Sequence, residues 1–148
     1  MGIRRLFGLL LSAIALPFLT GCEKYVTEQY YTQGATIETY YVTAKARDWR
    51  ENGVEGKEGY YMYQSFKFPE IDNSVVENGA VLVYMIDGNG RDNQLPLAIP
   101  YEDEYPFVLE NIRYDVIEGE LTTIIECTDF LYAPRSMDID FKVVVIRP

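Results

Sequence analysis

The sequence predicts an all-β domain: an antiparallel β-sandwich, Ig-like or jelly-roll-like, of about seven strands. Three observations point there. Apolar and polar residues alternate with a period of two through much of residues 36–148. Turn signals built from Gly, Pro, Asn and Asp recur about every ten residues. No window sustains the i, i+3, i+4, i+7 apolar stripe of a long helix. A small closed β-barrel is the alternative.

Each element has a local reason. Residues 36–46 are rich in β-branched residues and tyrosine, which suit a pleated surface, and Trp49 follows them. Residues 51–58 hold Gly53 and Gly56 among charges and read as a loop. Residues 59–68 alternate, with Tyr60, Met62, Gln64, Phe66 and Phe68 on one face and Tyr61, Tyr63, Ser65 and Lys67 on the other. Pro69 ends that strand because it cannot donate to a ladder. Residues 73–78 fit one helical turn closed by Gly79. Residues 80–86 are continuously apolar, as expected of a strand covered on both faces or lying in mid-sheet. Residues 87–93 are turn chemistry. Residues 95–101 return as a strand that Pro96 and Pro100 confine to an edge or an irregular segment. Glu102-Asp103-Glu104 is an acidic loop. Residues 107–116 and 121–128 flank Glu118-Gly119-Glu120 as a hairpin. Residues 129–136, with Pro134, form a loop, and Ile139, Phe141, Val143 and Val145 alternate along a last strand.

The N-terminus carries an address. Arg4 and Arg5 precede residues 6–20, which are mostly apolar and uncharged. A helix of that length spans about 22 Å, short of a hydrocarbon core of about 30 Å, so the segment reads as the h-region of a signal peptide. Leu19-Thr20-Gly21-Cys22 then resembles the bacterial lipobox. That resemblance implies a diacylglycerol on the Cys22 thiol, cleavage between Gly21 and Cys22, and acylation of the new amino group. The expected organisation is a signal peptide over 1–21, a lipidated Cys22 with a flexible tether over 22–35, and the β-sandwich over 36–148. Removing residues 1–21 leaves 127 residues at a net charge of −12. Each buried acyl CH₂ contributes about 0.8 kcal/mol, so two or three chains hold such a protein firmly on a membrane.

Composition narrows the chemistry. The 148 residues carry 13 Lys+Arg against 23 Asp+Glu, a net charge of −10 that gives no phosphate-neutralising footprint and excludes a dedicated nucleic-acid binder. There is no histidine, so Ser-His-Asp and Cys-His catalysis and histidine metal sites are excluded. With Cys22 as a thioether, Cys127 stands alone on an apolar stretch and reads as a small core residue.

Three constellations remain. Asp87, Asn89 and Asp92 offer oxygens to a hard cation such as calcium. The match is weak: Arg91 sits where a ligand is wanted, Gly90 falls early and no closing glutamate follows, so an Asn-Gly hairpin turn is the favoured reading. The carboxylates of residues 102–104 could serve as an acid–base pair only across a cleft, and a solvated acidic surface explains them as well. The third is aromatic excess. Trp49, Tyr61 and Tyr63 could stack on sugar rings or on a protein partner if they share an exposed face, whereas packing explains them if their strand is covered.

The lipobox resembles that of small uncharacterised envelope lipoproteins of Bacteroidota-type bacteria. So do the strand Gly59-Tyr60-Tyr61-Met62-Tyr63-Gln64-Ser65-Phe66, the segment Val76-Glu77-Asn78-Gly79-Ala80-Val81, Leu95-Pro96-Leu97 and the closing Met137-Asp138-Ile139-Asp140-Phe141-Lys142-Val143-Val144. The resemblance implies Cys22 as lipid acceptor and supplies no catalytic residue. The expectation is therefore a lipid-anchored module of the bacterial cell envelope, at the outer membrane in preference to the inner, non-catalytic and without a cofactor. Its partners are the membrane through Cys22 and an envelope protein. The alternative is a carbohydrate-binding accessory lipoprotein, with a glycan on the aromatic face. A third reading is a fibre subunit exchanging residues 139–146 as a strand.

Overall fold

The computed structural model describes residues 25–32, 34–100, 108–131 and 137–148, with side chains from residue 34 onward. Along the chain the strands are β1 (Tyr25–Thr32), β2 (Ala35–Ala44), β3 (Arg50–Asn52), β4 (Tyr61–Phe68), β5 (Ala80–Ile86), β6 (Asp92–Gln94), β7 (Leu97–Pro100), β8 (Leu109–Ile117), β9 (Gly119–Cys127) and β10 (Ile139–Arg147). A 3₁₀ turn, Ala46–Asp48, follows β2, and one short helix, α1 (Asn73–Asn78), joins β4 to β5. The strands form two five-stranded antiparallel sheets, ordered β1-β2-β10-β5-β6 and β3-β4-β9-β8-β7. The fold is an all-β sandwich, and the sheets do not close into a barrel.

The alternation read from sequence builds the core. In β10, Phe141, Val143 and Val145 are fully buried. In β4, Met62, Gln64, Phe66 and Phe68 point inward. Tyr40 of the first sheet meets Phe68 of the second edge to face, with ring centroids 5.5 Å apart. The β8–β9 hairpin turns at Glu118 and Gly119, closed by the pair Ile117 and Glu120. Gly119 sits at φ 77, the left-handed region that glycine enters without cost.

Three expectations need correction. Among the described residues there are ten strands in place of about seven, the additions being β1, which is polar, and β3 and β6, which are too short to show alternation. Residues 25–32, expected within the tether over 22–35, form β1 and pair with β2 from Tyr25↔Tyr41 to Thr32↔Ala35. Backbone pairing recruits this polar segment, and hydropathy does not register backbone pairing. The strand expected over 95–101 is described only as β7, Leu97–Pro100, paired with β8 in the second sheet; Asp92 and Asn93, expected in the turn over 87–93, instead begin β6, which pairs with β5 in the first sheet, and Leu95-Pro96 crosses between the layers. Of the two readings of β5, the mid-sheet one holds, since it lies between β10 and β6. Val83 is buried while the rest of its apolar run is half-buried.

The sandwich has two ends. One holds the start of β1, the end of β2 and the turn over 87–91. The opposite end holds α1 and the β8–β9 turn. There Asp72 caps α1, its Oδ1 accepting the Val75 N–H at 3.0 Å. Gly79 closes the helix with its N–H on the Val75 carbonyl at 3.0 Å. Its backbone is extended, and glycine is required because a Cβ would lie 2.3 Å from the Ile146 carbonyl oxygen. Arg147 ties this end together, donating from Nη1 to Asp72 at 2.5 Å, from Nε to Glu38 at 3.3 Å and from Nη2 to the Glu70 carbonyl. Glu38 also accepts the Tyr40 hydroxyl at 2.9 Å.

Candidate functional site

The lipobox residues Gly21 and Cys22 lie outside the described residues, as do the carboxylates of 102–104. Cys127 is a buried thiol in the core. In the turn over 87–91, Asp87 Oδ1 accepts the N–H groups of Asn89 at 2.8 Å and Arg91 at 2.9 Å. These bonds, the one from Arg91 first, hold the Asp87 carboxyl below its ordinary pKa. Asp92 instead pairs with Lys142 of β10. The carboxylates of Asp87 and Asp92 thus aim at separate partners, one inside the turn and one on β10, and Asn89 gives its backbone N–H to Asp87.

The three nominated aromatics do not form one strip. Trp49 follows the 3₁₀ turn, packs against the core, and buries its indole N–H. Tyr61 and Tyr63 are half-buried on the outer face of the second sheet. Their ring centroids are 6.2 Å apart with the planes at 65°. Rings at that angle cannot both lie flat against one sugar. Register places Arg50, Tyr63, Ile124 and Arg113 in one row across this face. Ile124 is only 2% exposed although it points away from the core. The Arg113 guanidinium lies 5.7 Å from the Tyr61 ring centroid and pairs with Asp115 at 3.1 Å. This face is not a flat aromatic platform.

A feature that alternation did not predict is the way the second sheet ends on each side. The two-residue β8–β9 turn makes Ile117–Glu120 a hydrogen-bonded pair, and the Thr128 N–H bonds the Leu109 carbonyl at 2.9 Å. Odd-numbered residues of β8 therefore bond β9, while Tyr114 and Val116 turn their backbone groups the other way. β7 covers only β8 residues 109–112. The same parity makes even residues of β4 bond β9, consistent with Thr123 Oγ1 reaching the Gln64 carbonyl at 3.3 Å. Ser65 and Lys67 then face outward beyond β3, which covers only Tyr61, Met62 and Tyr63. Among the described residues, no strand pairs with either open stretch.

The two open stretches border different cavities. Beside β4 lies a polar one of about 480 Å³, lined by Arg47, Asp48, Trp49, Arg50, Tyr63, Gln64 and Ser65. Beside β8 lies a groove of about 670 Å³ between the layers. Val76, Ala80, Val81, Tyr114, Val116 and Ile117 line it, and Asp115 is the charged residue in its wall. The Tyr114 hydroxyl crosses the groove to donate to the Val81 carbonyl at 2.8 Å. Val76 is 47% exposed and Ile117 is 61% exposed, so the groove has an apolar rim open to water. The sequence signal for it was the unbroken apolar run of β5.

Glu110 is a second feature the sequence did not flag, an inward carboxyl of β8 that is 2% exposed. Among the described residues, no cluster of three His, Cys, Asp or Glu side chains could hold a metal, and no helix is long and apolar enough to cross a membrane. No protein-family model, curated protein or solved structure matches the chain.

Proposed function

We propose that the chain is a lipid-anchored protein of the bacterial envelope whose β-sandwich is a non-catalytic protein-interaction module. The observation that carries the reading is Leu19-Thr20-Gly21-Cys22 at the end of a charged leader and a short apolar run, directly before the first strand. Only Glu23 and Lys24 separate Cys22 from β1, so the start of the sandwich stays within about 11 Å of the lipidated residue. The domain rides close on the membrane and not on a long tether. The apolar groove supports the interaction role. It lies three strands across the first sheet from β1, toward the end away from the anchor.

Intact-mass measurement of the full chain expressed in a bacterium with an outer membrane tests the anchor. The expected product lacks residues 1–21, begins at acylated Cys22 and fractionates with membranes, while Cys22→Ala keeps residues 1–21 and carries no lipid. Unmodified Cys22 in a released chain would overturn the reading. The outer-face position of Tyr61 and Tyr63 favours a second reading, a glycan-binding module. Its test is a glycan array with the wild-type chain and Tyr61→Ala/Tyr63→Ala. Binding lost in the folded variant supports it, and an array without hits rejects it.

A further inference from the structure

We infer that the groove beside β8 takes an extended peptide segment of a partner protein, which adds as a strand to β8 and is apolar on its inner face and basic at its flanks. The inference rests on the interaction-module reading and deepens it. Backbone chemistry comes first. Tyr114 and Val116 turn their N–H and C=O groups to the open side of the sheet, where a neighbouring strand offers the matching donors and acceptors. An acyl chain could fill the apolar groove, but it has nothing to bond these groups.

Side-chain chemistry comes second. An added strand continues the line of β7 beyond Leu97. Every second side chain then points between the layers toward Val81 and Val116, with Val76 and Ile117 closing over it. An apolar run in β5 left half-covered is explained if a partner completes the cover. The exposed rim of Val76 and Ile117 is the kind of apolar anchor that dominates binding at small interfaces.

Charge comes third. Asp115 in the groove wall is paired with Arg113, and the exposed Glu77 and Glu118 follow the rim residues Val76 and Ile117 in the chain, so the rim is flanked by two exposed carboxylates, and no lysine or arginine lines the groove. A second copy bound edge to edge would set these carboxylates against their own counterparts, in a chain of net charge −10. The occupant is therefore a different protein, with lysine or arginine flanking its apolar strand.

The probe is a fluorescein-labelled octapeptide of alternating threonine and valine with a lysine at each end, titrated by anisotropy against the full chain in detergent. Saturable binding is expected. Ile117→Lys should weaken it about tenfold or more. Val116→Pro, which removes an outward N–H, should do the same, while Ser65→Pro on the opposite edge leaves it unchanged. Exchanging the terminal lysines for glutamates should also weaken binding. Absence of saturable binding, or binding that survives both Ile117→Lys and Val116→Pro, overturns the inference. Ile117→Lys changes an exposed side chain and keeps the test valid if Val116→Pro fails to fold. Site-specific crosslinking separates this failure from failure of the module reading. An envelope protein crosslinked equally by wild type and Ile117→Lys removes the groove but keeps the module, whereas peptide binding by a chain with unmodified Cys22 removes the anchor but keeps the groove.

Discussion

On one side the second sheet ends at Ser65 and Lys67 of β4, and on the other at Tyr114 and Val116 of β8. Each side is capped for half its length by a short strand, β3 or β7, and each leaves the half toward α1 unpaired among the described residues. Their finish differs. At β4 the open stretch presents an exposed lysine, and its cavity is lined by Arg47, Asp48 and Arg50. Charged edges of this kind resist pairing with foreign strands. At β8 the rim is Val76 and Ile117, with no lysine. The polar cavity beside β4 has its own unsatisfied atoms, Trp49 Nε1 and Gln64 Oε1, but both are buried beneath its surface and out of reach of a ligand. Of two edges of one topology, one is guarded by charge and the other is not, and the unguarded edge is the one proposed to take a partner strand.

The comparison depends first on which backbone groups face outward, and proline tests that with the largest effect. Asp115→Pro removes a bond to β9 and should cost about 3 kcal/mol in chemical denaturation. Ser65→Pro removes an outward N–H and should cost less than half as much. Equal costs would show that the parity has been assigned wrongly.

Arg147→Ala sharpens the contrast at the next level. It strips Glu38 and Asp72 of their guanidinium partner and should cost about 2 kcal/mol. Because α1 walls the groove, amide exchange should rise in α1 and the lower half of β5 and stay unchanged in β4.

Surface exchanges come next. Ile117→Lys should leave stability within about 0.5 kcal/mol of wild type, and Lys67→Val should do the same. Their effect is on association: light scattering should show Lys67→Val more prone to self-associate and Ile117→Lys the same as wild type.

The smallest effect is pH dependence. Asp72 and Asp138 have carboxyls held below the ordinary value, Asp72 chiefly by the Val75 N–H and Asp138 chiefly by the Ala46 N–H. A lowered folded pKa contributes stability that is complete above about pH 4 and lost as pH falls through the folded value. Acid should therefore loosen α1 and the Ala46 turn, measured by amide exchange, before the ladders of β4 and β8 open.

Much of the frame was legible in the sequence because side-chain alternation reports burial directly. The inward residues of β4 and β10, the β8–β9 hairpin and the α1 turn with Gly79 all follow from local pattern. Strand β1 was not legible, because a polar segment joins a sheet through backbone bonds. Nor were the half-covered edges, since which strand stops short of which is a long-range property. The apolar run of β5 marks a strand in mid-sheet, but it does not show that most of the run stays half-buried. Trp49, Tyr61 and Tyr63 could be nominated from composition, and alternation placed Tyr61 and Tyr63 opposite Phe66 and Phe68, but it could not show that Trp49, after the Ala46–Asp48 turn, packs against the core.

The measurement that meets the central claim most directly is residue-resolved amide exchange of the full chain with and without the lysine-flanked threonine–valine peptide. Slowed exchange at Tyr114 and Val116, with Ser65 and Lys67 unchanged, is the result expected of a peptide-binding β8 edge. Protection at Ser65 and Lys67 instead, or at neither pair, would contradict it.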